Sequence, residues 1–338
     1  METVLLLAHT EPDGSLGKPA LEALAAAKAL GGELIVGLAG AETQAAANQI
    51  AGCGAARFLA VAGEAFAEGR YSTDAAAAEA LCRAAGAPLV IAPSTSRWAR
   101  ALPGVAYRLG GRVDTHSTGI AMSGDGPVLT RWFYRQRMEA TLTRAGRPWV
   151  LLLDAGCIPA WSGEAGSAAV EPVAVETPPT RTTVTGFQAP QAGEQTIRPD
   201  AKLLFVAGAG WTKKQADGAT HVPEAESLIL GFLRGAKASL GGSKSLVDLS
   251  GEGEAVLRFM THLNQIGQTG ATPRHPKGLS TCCHGEEPHV VGWRFVTERR
   301  AINLDANCGW ARGKADVLYV ADAFEVMRHV NRMLEAQG

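Results

Sequence analysis

Two doubly wound α/β domains, each built on a parallel sheet, are what this sequence predicts, on three observations. Short apolar runs alternate with segments of helical period, the pattern of parallel strands covered on both faces by crossover helices. That pattern holds for the first 115 residues and resumes at Lys202, after a stretch rich in Ser, Glu, Pro and Gln. The 338 residues also amount to about two domains of ordinary size.

The elements follow in order. Val4–Ala8 is a buried strand, followed by a turn with Gly, Asp and Pro and a helix from about Lys18 to Leu30. Glu33–Leu38 is a strand leading to a helix through Ala46, Arg57–Val61 a strand, and Asp74–Ala85 a helix. Pro88–Ala92 is a strand, followed by a helix from about Arg97 to Leu109. Each strand runs into a helix, as right-handed crossovers require. From Thr115 to Val184 the pattern changes. Val128–Arg137 and Met138–Thr143 alternate apolar and polar residues, which suits antiparallel strands near an edge, and Pro148–Leu153 is apolar again. Pro178-Pro179, Thr180–Thr185 and Gln188–Pro199 read as a surface arm and linker. The second pattern has strands at Leu203–Ala207, Val290–Trp293, Ala301–Leu304 and Val317–Ala321, with helices at Glu224–Ser239 and Phe324–Ala336. The expected division is a first domain at 1–187, a linker at 188–200 and a second domain at 201–338.

Composition narrows the function. Hydrophobic residues make up 46%, enough for real cores, which excludes a disordered chain. With Lys+Arg 32 against Asp+Glu 33, nothing offsets a phosphate backbone, so no nucleic acid partner is expected. Val4–Ala8 lacks a basic flank and is too short for a signal core, and no run approaches the ~20 apolar residues of a membrane span. A soluble, cytoplasmic protein is expected, without membrane insertion. Cys53, Cys82, Cys157, Cys282, Cys283 and Cys308 form no CxxC pair, so reduced thiols and no metal site are expected.

The chemistry concentrates between Gly241 and Asp322. Gln265-Ile266-Gly267-Gln268-Thr269-Gly270 makes a tight turn whose backbone N–H groups, amides and hydroxyl can bond a flat heterocycle or a phosphate. Upstream stands Gly242-Ser243-Lys244-Ser245-Leu246-Val247-Asp248. Downstream come Gly285, His289, Ala301-Ile302-Asn303 and Ala321-Asp322. Gly241-Gly242-Ser243-Lys244-Ser245 lacks the Gly directly before Lys that a P-loop needs, which argues against an ATP-using enzyme. His9, His116, His221, His262, His275 and His329 show no ligand spacing. Ser94–Ser96, at a strand end, reads as scaffold.

This ordered series resembles the C-terminal FAD domain of the electron transfer flavoprotein alpha subunit. That family shows Ser-Arg-Ala-Ala-Val-Asp, then Gln-Val-Gly-Gln-Thr-Gly, then a Gly-rich stretch ending in Gln-His, then Ala-Ile-Asn-Lys-Asp and Ala-Asp-Tyr. The opening, with Leu21-Glu22-Ala23-Leu24 leading to Gly31-Gly32, is similar to the family too. The resemblance implies a Rossmann-like, FAD-binding second domain and a nucleotide-binding-like first domain that packs on a beta subunit. It implies that Thr269 lies near the reactive flavin nitrogen N5, with Gln265, Ile266, Gly267, Gln268 and Gly270 shaping the same turn. Ser243 would meet the pyrophosphate side and Lys244 would stand in place of an arginine over the ring. Gly285 belongs to the Gly-rich stretch, His289 matches a histidine near the pyrimidine end, and Asn303 and Asp322 match residues at the ribityl and adenosine parts. A flavin that has taken one electron is an anion, which a nearby cation stabilises.

The resemblance further implies an electron carrier without substrate chemistry of its own. It would work as a heterodimer with a beta subunit that carries AMP, fed by a flavin dehydrogenase and discharged to a quinone oxidoreductase of the respiratory chain. The sequence departs from the family in three places. Lys244 replaces the stacking arginine with a hydrated point charge. Cys282-Cys283-His284-Gly285-Glu286-Glu287-Pro288-His289 replaces a stretch with one more Gly and a Gln. Ala207-Gly208-Ala209-Gly210-Trp211 replaces Ser-Gly-Gly-Arg-Gly, and its Arg is gone unless Lys213 or Lys214 takes over. These departures keep a second expectation open, a docking or structural subunit of the same fold without flavin.

Overall fold

The computed structural model describes residues 2–133, 138–177, 179–186, 198, 201–248, 256–266, 275–281, 293 and 296–336. The chain forms two compact units, Met1–Phe187 and Gln188–Gly338. Both are α/β, and each is built around a sheet in which parallel pairing dominates.

In the first unit the chain alternates β1 (Val4–His9), α1 (Lys18–Ala29), β2 (Leu34–Gly40), α2 (Gln44–Gln49), β3 (Arg57–Ala62), α3 (Tyr71–Ala85), β4 (Leu89–Pro93) and α4 (Ser96–Arg108). It continues with β5 (Arg112–Ser123), β6 (Gly126–Phe133), β7 (Met138–Leu142), β8 (Trp149–Leu153) and β9 (Val170–Pro172). The sheet order is β7-β6-β5-β8-β4-β1-β2-β3-β9, antiparallel only where β6 meets β5 and β7. Side chains alternate across each strand, so β1 feeds two cores. Val4, Leu6 and Ala8 pack with Ala20, Ala23 and Leu24 of α1, while Leu5 and Leu7 pack with Leu81 of α3 and Trp98 and Leu102 of α4.

The antiparallel end is pinned by Asp114, which is 1% exposed. Its carboxylate accepts hydrogen bonds from Arg131 (2.8 Å) on β6, Trp149 Nε1 (2.9 Å) on β8 and Arg144 Nη2 (2.8 Å) beyond β7. Burial alone would push that carboxyl up, but the bonds from Arg144 and Trp149 prevail and hold it below the usual range.

The second unit comprises β10 (Leu203–Ala207), α5 (Val222–Ala236), β11 (Ser239–Gly242), α6 (Lys244–Asp248), β12 (Lys277–Thr281), β13 (Glu298–Asn303), α7 (Gly309–Lys314), β14 (Val317–Val320) and α8 (Ala323–Glu335). Its five strands run in the order β11-β10-β12-β13-β14, all parallel. One face of this sheet is covered by α5 and α8, which bury Ile229, Phe232, Phe324 and Met327. On the other face Leu204, Val206 and Ala301 pack with Ile266, Trp293 and Val296.

Three expectations need correction. Trp293 is helical, not the end of a strand from Val290, and Val290 lies outside the described residues. A run of four apolar residues does not separate a strand from a buried helix. The strand beside β10 is Lys277–Thr281, where Gly278 hides the apolar pattern. A Cβ at Gly278 would come within 2.7 Å of Val296 Cγ1 and 2.8 Å of the Trp293 ring, so only glycine admits that packing. The helix expected to reach Ser239 ends at Ala236, and Ser239 opens β11. Lys237, in the left-handed conformation, ends the helix there.

Candidate functional site

Strand order locates the site. From β10 the chain crosses to β11 on one side and later returns to β12 on the other, so the strand order reverses between β10 and β12 while every strand stays parallel. Ligands of open α/β sheets bind outside the carboxyl ends of the strands at such a reversal.

The residues singled out from sequence fall along that edge. Ser243 follows β11 directly, Lys244 opens α6, Asn303 ends β13, and Asp322 lies two residues past β14 at the N-cap of α8. Gln265 bridges to Gly242, and Ile266 N–H donates to Gly242 O at 3.1 Å, so Gln265 lies at the end of β11 beside Ser243. A Cβ at Gly241 would approach Ile266 Cγ2 to 2.7 Å, which explains the small residue there. Gly267, Gln268, Thr269, Gly270, Gly285 and His289 lie outside the described residues, as do Cys282, Cys283, Glu286 and Glu287.

Ser243, Asn303 and Asp322 each have a defined local bond. The Ser243 hydroxyl accepts from Leu246 N–H at 3.2 Å, and its own N–H donates to Ala207 O at 3.0 Å. Those bonds leave the hydroxyl proton available to a ligand. Gln265 is 3% exposed, whereas Lys244 is exposed. The Ile266 side chain belongs to the core, so only its backbone faces this turn. Asn303 Oδ1 accepts from Asp305 N–H and Asp322 Oδ1 from Glu325 N–H, both at 3.1 Å. Between Asn303 and Asp322 a cavity of about 20 Å³, closed by Gly210, Gln215 and Phe324, has room for about one water.

Charge is unevenly spread along the edge. Lys213 and Lys214 follow the turn after β10 and Lys244 follows β11, while Asp305 and Asp322 follow β13 and β14. From the end of β11 to the end of β14 are four inter-strand gaps, about 19 Å. A small molecule spans only part of that; an elongated one reaches both the cationic and the acidic end.

A cavity of about 580 Å³ lies elsewhere, between the sheet face at β12–β14 and α8. Its walls are mainly apolar, with Leu203, Leu279, Ile302, Met327 and Val330, and Lys277, Glu298, Arg300 and Tyr319 also line it.

The first turn of this unit holds what the sequence reading did not find. Trp211 is fully buried, and its indole donates to Thr281 Oγ1 at 2.8 Å. Nothing local signals this, because the two residues are 70 positions apart and Trp211 sits in a glycine-rich turn.

In the first unit Ser94–Ser96 also follow a strand end. Thr95 caps α4, accepting from Trp98 N–H at 3.3 Å, and meets His9 Nε2 at 3.1 Å. Burial first, then the Arg97 charge, hold the His9 imidazole below its ordinary pKa, and Arg97 itself bonds Asp74 at 2.8 Å. These groups satisfy one another. Among the described residues no cluster of His, Cys, Asp and Glu is arranged to hold a metal ion, and no helix is long and apolar enough to cross a membrane.

Comparison with known proteins gives one assignment. Residues 4–178 match the family model described as the electron transfer flavoprotein domain. None of the curated proteins compared with the chain matches it.

Proposed function

Because the chain belongs to the electron transfer flavoprotein family, a membership that rests on residues 4–178 of 338, we propose that it is the alpha subunit of such a carrier and holds one FAD at the carboxyl edge of its second sheet. The observation that carries this reading is the gathering along one edge of Ser243, Lys244 and Gln265 at the β11 end, Asn303 about 14 Å away on β13 and Asp322 about 19 Å away past β14.

The donor set suits the group. The Ser243 hydroxyl can donate a hydrogen bond to polar ring or phosphate atoms, beside the buried Gln265. The Lys244 ammonium compensates negative charge, and the Asp322 carboxylate can accept from ribose hydroxyls. When bound, a flavin takes up and gives off electrons. The chain's own part is to bind, to orient and to set the charge around the ring. Lys244 favours the more negative form, and the covering core of Ile266, Val206 and Trp293 keeps the floor rigid and dry. No bond of a substrate needs to be made or broken, so we read the protein as a carrier rather than an enzyme. Its partners in this reading are a beta subunit carrying AMP, a flavin dehydrogenase as donor and a quinone oxidoreductase as acceptor, and its place is the cytoplasm.

The small cavity at Asn303 and Asp322 and the absence of an arginine from Ala207-Gly208-Ala209-Gly210-Trp211 favour one second reading, a docking subunit of the same fold without flavin. One experiment separates the two. The full chain, produced with its partner subunit, is purified and its visible spectrum recorded. Bands of bound flavin, with FAD released on denaturation, support the carrier; a colourless protein that releases no flavin and binds none added refutes it.

A further inference from the structure

We infer that Trp211 is a positioning residue for the ligand at the carboxyl edge; the inference rests on the flavin reading above. Its ring is fully buried and shows no edge to the site, so any effect on a ligand passes through the groups it holds. Three such groups meet at the indole. The Nε1–H donates to Thr281 Oγ1 at 2.8 Å, and that hydroxyl in turn donates to Val206 O at 3.2 Å. The Phe324 ring lies against the indole with centroids 4.6 Å apart. Phe205, on β10, contacts it at 6.5 Å.

These contacts span the crevice. Thr281 is the last residue of β12, and Gly208 N–H already donates to Thr281 O at 2.9 Å from the end of β10. The Trp211 bond is therefore a second tie across the reversal point, made by a side chain where the first is made by backbone. Phe324 is the second residue of α8, two positions after Asp322, whose carboxylate caps that helix. One ring thus sets the distance between the ends of β10 and β12 and the start of α8, which carries Asp322. A filler of apolar space needs no N–H. The presence of a buried donor with a single matched hydroxyl makes the contact directional, so its loss moves strand ends rather than only opening a void.

The test uses the full chain with its partner subunit and FAD as the probe, titrated into cofactor-stripped protein and followed by flavin fluorescence. Trp211→Phe keeps an aromatic ring and removes the N–H. Thr281→Val keeps the shape and removes both the acceptor for Trp211 and the donor to Val206 O. Thr281→Ser restores both. Trp211→Phe and Thr281→Val should each weaken FAD binding by about five- to tenfold, the magnitude of one buried hydrogen bond. The double variant should be no weaker than Thr281→Val alone, because valine at 281 already removes the bond that Trp211→Phe breaks. Thr281→Ser should bind within about twofold of the unaltered protein. Circular dichroism at the assay temperature shows which variants are folded, and Thr281→Val carries the test if Trp211→Phe is not. Folded Trp211→Phe or Thr281→Val that binds FAD as tightly as the unaltered protein overturns the inference, and so do losses that simply add in the double variant. Unaltered protein that binds no flavin refutes the flavin reading itself, a distinct result.

Discussion

Replacing Asp114 by Ala should open the antiparallel end of the first sheet while leaving its parallel centre intact. The carboxylate serves three donors on separate segments, and its own side chain is 1% exposed. Arg144 is 38% exposed and returns to water at little cost; Arg131 is 17% exposed and the Trp149 ring wholly buried, so these two lose their partner without replacement. Removing one side of a buried ion pair costs 3–5 kcal/mol, and with Arg144 solvated the low end applies, about 3 kcal/mol or roughly a 150-fold shift in local opening. Asp114→Asn keeps an acceptor oxygen but loses the charge, and should cost about half as much. Native-state hydrogen exchange read by mass spectrometry checks this locally. Peptides covering β5 and β6 should exchange about two orders of magnitude faster in the Ala variant, and peptides from β1 and β2 at the unaltered rate. The pH dependence has a fixed sign. The folded carboxyl lies below its unfolded value of about 3.9, so its stabilisation is complete above that pH and disappears as pH falls through the folded value. Protection of β5 and β6 that is unchanged in the Ala variant would refute the assignment of Asp114 as the pin.

Three further outcomes are expected. His9 is held below its ordinary pKa of 6.5, so the unfolded chain binds that proton better and stability declines as pH drops below about 6.5. His9→Gln should flatten the stability profile between pH 7 and 5.5, and an unchanged slope would show that another group sets it. Cys82, whose thiol burial pushes up to about 12, should stay unmodified by iodoacetamide in the native protein at pH 8 and react on unfolding; native labelling found by peptide mapping would contradict its burial. Lys244→Gln should lower the midpoint potential of bound flavin, because the cation that favours the added negative charge is gone. A potential equal to that of the unaltered protein would assign the compensating charge to another residue.

The parallel strands were legible because burial on both faces leaves no room for a polar residue: Val4–Leu7 and Leu89–Ala92 read as strands at sight. What escaped shows the limit of that signal. Strand β5 contains Arg112, Asp114, His116, Ser117 and Thr118, a polar run that becomes a strand only because Arg131, Arg144 and Trp149 satisfy Asp114 from other segments. β11 is four residues with two glycines, and β12 opens on Lys277-Gly278, so neither looks apolar. The site divides in the same way. Ser243, Gln265, Asn303 and Asp322 were found through ordered motifs, and the carboxyl edge gathers them. Trp211 and Thr281 belong to no motif, and only the fold brings them to 2.8 Å.

The two ends of that edge differ in how firmly they are built, and this bears on how a ligand is held. At the β11 end the polar groups stand on a tied floor, with Ser243 N–H on Ala207 O and Ile266 N–H on Gly242 O, and the Ser243 hydroxyl keeps its proton to donate. At the β14 end Asn303 and Asp322 already use one oxygen each on backbone N–H groups, and the space between them is about 20 Å³. A carboxylate has two oxygens, and the second at Asp322 remains a strong acceptor. An elongated ligand would therefore draw its orientation and charge compensation from the β11 end. From the other end it would take one or two hydrogen bonds at the rim of the small cavity rather than enclosure.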